Sequence, residues 1–158
     1  MQPQVKAQAF YAFVDLEAGA YRLEIATEAF FPFTVSLQVP MALPLAEGIL
    51  ACTLEPGPLY PFEPWDTLIR GRVTRRRKPE AGVTVEARYA GQRSRTVSRQ
   101  TRSWGSGAYD GRYALALGGR LAAATDITLN FTAPDGAQGR QVVRVTPSTM
   151  AIVDMDLD

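Results

Sequence analysis

The chain has 158 residues, enough for one medium domain or two small ones, and its 46% hydrophobic and 21% charged residues are ordinary for a globular protein. It contains no histidine, which removes Ser-His-Asp and Cys-His catalysis and nearly every common transition-metal site. A single cysteine, Cys52, rules out an intrachain disulfide framework, and no apolar run approaches the roughly 18 residues of a membrane span. The opening Met1-Gln-Pro-Gln-Val-Lys6 lacks the basic and apolar regions of an export signal, so a cytoplasmic setting is expected.

Along the chain the hydrophobic pattern has a period of two and almost never a helical one. Tyr21, Leu23 and Ile25 alternate with Arg22 and Glu24, and Val35, Leu37 and Val39 alternate with Ser36 and Gln38. Cys52 stands in the alternation Leu50, Cys52, Leu54, where a small buried hydrophobe is expected. Further runs are Val83-Val85-Ala87-Tyr89, Tyr113-Leu115-Leu117, Ile127-Leu129-Phe131 and Val153-Met155-Leu157. Each is short and half apolar, as strands with one buried face are. Turn residues punctuate them: Gly19, Pro79 to Gly82, Asp110-Gly111, Gly118-Gly119 and Pro134 to Gly136. The one helical possibility, residues 119–125, is too short to be secure. The pattern predicts an all-β chain of β-sandwich type.

Residues 55–64, EPGPLYPFEP, hold four prolines in ten residues and cannot form a central strand. Their composition predicts an extended linker, and Tyr60, Phe62 and nearby Trp65 suggest that it packs against a domain. The predicted organisation is a short or incomplete module over 1–55, a Pro-rich linker over 56–65 and a sandwich over 66–158. Charge divides at the same place. Residues 1–64 carry two basic and seven acidic side chains, net −5, and the remainder carries a net of +6.

The stretch TLIRGRVTRRRKPEAGVTVEARYAG, with Gly71-x-Val73, Pro79-x-x-Gly82 and Val83-x-Val85 in order, resembles the opening of a carboxypeptidase regulatory-like domain. Thr101 and the later YDGRYALAL, residues 109–117, match the next marks of that pattern, with an unusual RSWGSGA between them. FYAFVDLEAGAYRLEIATEAFFPFTVSLQVP resembles the back half of a related repeat in transthyretin-like and adhesin B-type sandwiches, with Asp15, Leu16, Gly19 and Tyr21 on the pattern. The resemblance implies two small immunoglobulin-like or prealbumin-like β-sandwich modules that act as non-enzymatic spacing or binding domains, with no cofactor. The internal Lys–Asn isopeptide bond of some relatives is not expected, since only Lys6, Lys78 and Asn130 are present.

Asp110 and Asp135, each before a glycine, read as turn residues; no ligand spacing for calcium surrounds them, and no metal site is predicted. GSGAYDG lacks the lysine and following helix of a phosphate loop. Asn130-Phe-Thr132 fits a glycosylation sequon but falls inside a predicted strand. Arg75, Arg76, Arg77 and Lys78 fall in one predicted loop, and Arg93, Arg95, Arg99 and Arg102 in the next polar stretch. These loops are expected to converge into one positive surface, either merely solvated or able to meet an acidic protein. Nucleic acid is disfavoured, because no aromatics interleave the arginines and no helix is available for a groove.

Phe30 and Phe31 lie in an aromatic-rich first module too short to close a sandwich, so its aromatic face is expected either to be covered by the second module or to form an edge that docks a partner or another copy of the chain. The leading expectation is a non-catalytic adaptor within a larger assembly, by analogy of a cell-surface or phage-tail-like kind. The alternative is a carbohydrate- or polyanion-binding module using Trp104, Tyr109 and the loop arginines.

Overall fold

The computed structural model describes residues 4–5, 11–13, 15–41, 50–91, 95–118, 121 and 123–158. The chain is all-β and divides into two compact units, residues 1–26 with 32–53 and residues 27–31 with 54–158. In the smaller unit, β1 (Gln4–Val5) pairs antiparallel with β2 (Tyr11–Ala12), and β3 (Gly19–Ile25) with β4 (Phe33–Val39). The alternation expected for these segments is present: Tyr21, Leu23 and Ile25 share a half-buried face with Val35, Leu37 and Val39. None of this unit's described residues is fully buried, Cys52 included.

The larger unit holds β5 (Thr67–Arg75), β6 (Lys78–Pro79), β7 (Thr84–Ala90), β8 (Thr96–Arg102), β9 (Arg112–Leu117), β10 (Thr125–Thr132), β11 (Gln138–Val145), β12 (Met150–Ile152) and β13 (Met155–Leu157). One antiparallel sheet runs β11-β10-β7-β8; in the other, β5 is central, with β9 antiparallel to it and β12 and β13 parallel to it in succession. Odd-numbered residues of β7, β9 and β10 (Val85, Ala87 and Tyr89; Tyr113, Leu115 and Leu117; Ile127, Leu129 and Phe131) meet Ile69, Val73, Val153 and Leu157 in one core. Period-two burial places the two sheets face to face, because each offers one apolar side. Of the helical possibility at 119–125, residues 119, 120 and 122 lie outside the described residues, and Thr125 opens β10.

A local device explains the glycine of the Gly71-x-Val73 run. β12 and β13 keep one register against β5, Ile152 opposite Arg70 and Met155 opposite Val73, but the ladder is interrupted between them. The Val153 carbonyl leaves the ladder and accepts a 2.7 Å hydrogen bond from the Tyr113 hydroxyl in the core. Asp154 Oδ1 takes its place and accepts from the Arg72 N–H at 2.8 Å. A Cβ on Gly71 would stand 1.8 Å from the Val153 oxygen, so only glycine permits this crossing. Burial first, and the Asp154 charge second, hold the Tyr113 phenol well above its ordinary pKa.

Asp110 is part of a turn. Its N–H bonds the Gly107 carbonyl at 3.2 Å, closing a 3₁₀ turn over Gly107–Tyr109, and its carbonyl accepts from Arg72 Nε at 3.3 Å. Gly111 beside it has φ +74°, and a Cβ there would lie 2.5 Å from the Val73 oxygen. The Asp-Gly pair thus combines a left-handed residue with a close strand approach.

The Pro-rich segment packs on the outer face of the β9–β5 sheet. Leu68 and Ala114 point away from the core yet are 8% and 2% exposed, and Phe62 lies over the Arg70 guanidinium at 5.7 Å. Phe30 packs edge-on against Tyr60, and Tyr60 against Phe62. Phe31 is 6% exposed, covered from within the chain, the first of the two alternatives for this aromatic face. Its ring stands 5.0 Å from that of Trp104 and 4.6 Å from the Arg102 guanidinium, and its N–H bonds the Glu55 carbonyl. Residues 27–31 belong to the larger unit, so this aromatic segment is satisfied within it.

Candidate interaction surface

The β5–β6 connection is a two-residue hairpin, Arg75 opposite Lys78, with Arg76 and Arg77 between them. Both central residues have left-handed backbone, φ 48° and 66°, the condition of a type I′ turn. Such turns match the twist of a hairpin but favour Asn-Gly, because a Cβ in this region costs roughly 1–2 kcal/mol per residue. Two adjacent arginines therefore sit where local preference disfavours both.

The turn is held from below. Arg75 grips Asp135 with both terminal nitrogens, at 2.5 and 2.8 Å, and reaches Glu80 at 3.4 Å. Asp135 also accepts from the Ala137 N–H at 3.1 Å, so one carboxylate closes its own hairpin and anchors the neighbouring one. The Arg75 hydrogen bonds hold the Asp135 carboxyl well below its ordinary range, and the same contact raises Arg75. Asp156 Oδ1 accepts from Thr74 Oγ1 at 2.7 Å and from the Arg77 N–H at 3.3 Å, which lowers its pKa. Arg76, Arg77 and Lys78 are exposed, and among the described residues no carboxylate pairs with their side chains.

The other arginines do not join this group: the two loops expected to converge lie at opposite ends of β7. The β7–β8 hairpin closes where Ala90 pairs with Thr96, whereas Thr84, the first residue of β7, follows the β5–β6 end. Seven residues of strand separate the two by about 20 Å. Arg95 lies at the far end; Arg93, in the same loop, falls outside the described residues. Arg99 sits mid-strand on β8 with its guanidinium against Gly118, whose added Cβ would approach Nη2 to 2.3 Å. Arg102 is at the near end, but it bridges Glu55 at 3.2 Å and covers Phe31.

Trp104 is half-buried. Besides Phe31 it meets Gly57, where a Cβ would lie 2.7 Å from the indole. Tyr109 is 37% exposed and carries the Arg112 guanidinium over its ring at 5.6 Å. Together with Leu59, Glu28 and Ser106 they border an open cleft of about 310 Å³. Among the described residues no three of Cys, Asp and Glu gather as metal ligands would, and no helix is long and apolar enough to cross a membrane.

Two features were not anticipated from sequence. Asp135 acts as the partner of Arg75 across 60 residues, which a turn motif alone does not reveal. Met150 and Ile152, on edge strand β12, are 54% and 71% exposed. Searches of family models, curated proteins and solved structures give no significant match to the chain.

Proposed function

We propose that the protein is a non-catalytic adaptor that docks an acidic surface of a partner protein through the Arg76-Arg77-Lys78 turn. The observation that carries this reading is the contrast within the RRRK run. Arg75 is engaged by Asp135 and Glu80, while the next three cations stand exposed on a turn whose backbone Asp156 fixes. An arginine fork pairs with carboxylates in two-point fashion, and a fixed backbone lowers the ordering cost of binding. Strained residues that persist in a stable fold are a recognised mark of function. The carboxypeptidase regulatory-like resemblance of residues 66–158 points to the same class of activity, docking rather than catalysis.

The deciding experiment is capture of partners from native lysate with wild type and with Arg76→Glu/Arg77→Glu, leaving Arg75 in place. The reading predicts loss of the same acidic protein from the variant's eluate. A second reading, recognition of a sugar in the cleft beside Trp104 and Tyr109, is favoured by the open aromatic border there. It predicts that Tyr109→Ala abolishes capture while Arg76→Glu/Arg77→Glu retains it.

A further inference from the structure

Among the described residues, strand β12 ends its sheet with an unpaired edge. Leu68 N–H bonds the Thr149 carbonyl at 3.0 Å and Val153 N–H the Arg70 carbonyl at 2.8 Å, so odd-numbered residues of this segment face β5. The N–H and C=O groups of Met150 and Ile152 consequently point away from β5, and no described strand lies on that side. Their side chains share the outer face and are 54% and 71% exposed. An edge that combines free backbone groups with exposed apolar side chains is a template for strand addition.

The straight part of this edge is only three residues long. It is bounded on one side by the Pro147-Ser148 turn, with Ser148 at φ 55°, and on the other by the displaced Val153 carbonyl. A long donated strand would meet both obstacles. A second copy of the same three residues would not. We propose that two copies of this chain pair β12 against β12 antiparallel about a two-fold axis centred on Ala151. In that register Met150 lies opposite the second copy's Ile152 and exchanges backbone hydrogen bonds with it, and the reverse pair does the same. The apolar side chains then cover one another, and Asp154 falls opposite Ser148. Sliding the strands toward β13 sets Met150 opposite Asp154 and then Asp154 opposite itself, so the acids oppose registers slid in that direction, and sliding the other way draws the Ser148 turn into the pairing. Three residues per copy bury far less than the roughly 1,200 Å² of a stable interface, so the pairing is weak alone and strengthened wherever an assembly holds copies side by side.

The test places a cysteine on the axis. In a Cys52→Ser background, Ala151→Cys sets two thiols on a non-hydrogen-bonded antiparallel pair, where the Cα atoms lie about 4.5 Å apart, within disulfide reach. Mild oxidation is expected to give a covalent dimer of Ala151→Cys much faster than of Thr128→Cys, a control on the outer face of the opposite sheet. Adding Ile152→Asp, at an exposed position that leaves the β5 ladder intact, is expected to abolish the dimer. Sedimentation of the protein without engineered cysteines should show self-association that grows with concentration and is lost in Ile152→Asp. Cross-linking no faster than the control, or association that persists in Ile152→Asp, overturns the proposal. The docking turn is untouched by these variants, so either idea can fail without the other.

Discussion

Replacing Arg76-Arg77 by Asn-Gly should stabilise the protein. Each arginine holds a left-handed backbone at roughly 1–2 kcal/mol, and both side chains are exposed with no ion pair among the described residues, so the loss with them is confined to the solvent-screened attraction of Arg77 to Asp156. Asparagine tolerates this conformation and glycine adopts it freely, although glycine gives back about 0.5–1 kcal/mol through unfolded-state entropy. The expected net gain is about 1–2 kcal/mol, a rise in midpoint of about 5–10 °C by calorimetry or thermal circular dichroism. Arg76→Ala/Arg77→Ala separates backbone from charge, because it removes both guanidinium groups and keeps both left-handed Cβ atoms. The Asn-Gly variant should exceed it by at least about 1 kcal/mol. Equal stabilisation in the two variants would refute the reasoning, since repulsion within the RRRK run would then account for the gain.

Further outcomes concern the frame that carries the turn. Gly71→Ala should destabilise by about 3 kcal/mol or more in urea unfolding, because the new Cβ displaces the Val153 carbonyl and strands the buried Tyr113 hydroxyl; Tyr113→Phe should lose about 1–2 kcal/mol. The Asp135 carboxyl has a folded pKa below its unfolded value of about 4, so its contribution is complete above that pH and fades as acid is added. Asp135→Asn should therefore be less stable than wild type at neutral pH, with the gap narrowing steadily below about pH 4. In a Trp65→Phe background, Gly57→Ala should shift the remaining emission to the red, because the added Cβ pushes Trp104 from its place beside Phe31.

What sequence could show followed the range of the interactions. Alternation over Tyr21–Ile25, Val83–Tyr89 and Ile127–Phe131 is a local signal, and it located strands whose inward faces form half-buried or buried surfaces. Asp110-Gly111 was legible for the same reason, since turn chemistry is carried by two adjacent residues. The parallel pairing of β12 and β13 with β5 joins residues 82 apart and leaves no local trace. Gly71 was therefore recognisable as part of a pattern, while its cause, the Val153 carbonyl crossing toward Tyr113, was not. The arginine-rich loops were misjudged because composition ignores direction: β7 carries the chain from one end of the sandwich to the other between them. What covers Phe31 was not legible, because its cover, Trp104 and Arg102, comes from more than 70 residues away.

The docking role of the turn is tested most directly by titrating poly-L-glutamate, a stand-in for an acidic protein surface, against wild type and the Asn-Gly variant at low and moderate salt. The account predicts that the more stable variant binds more weakly, by at least roughly tenfold, since the loss of even one of its two charge-assisted contacts costs about 1.5 kcal/mol, and with a shallower dependence on salt. Equal affinity of the two proteins, with equal salt dependence, would contradict it.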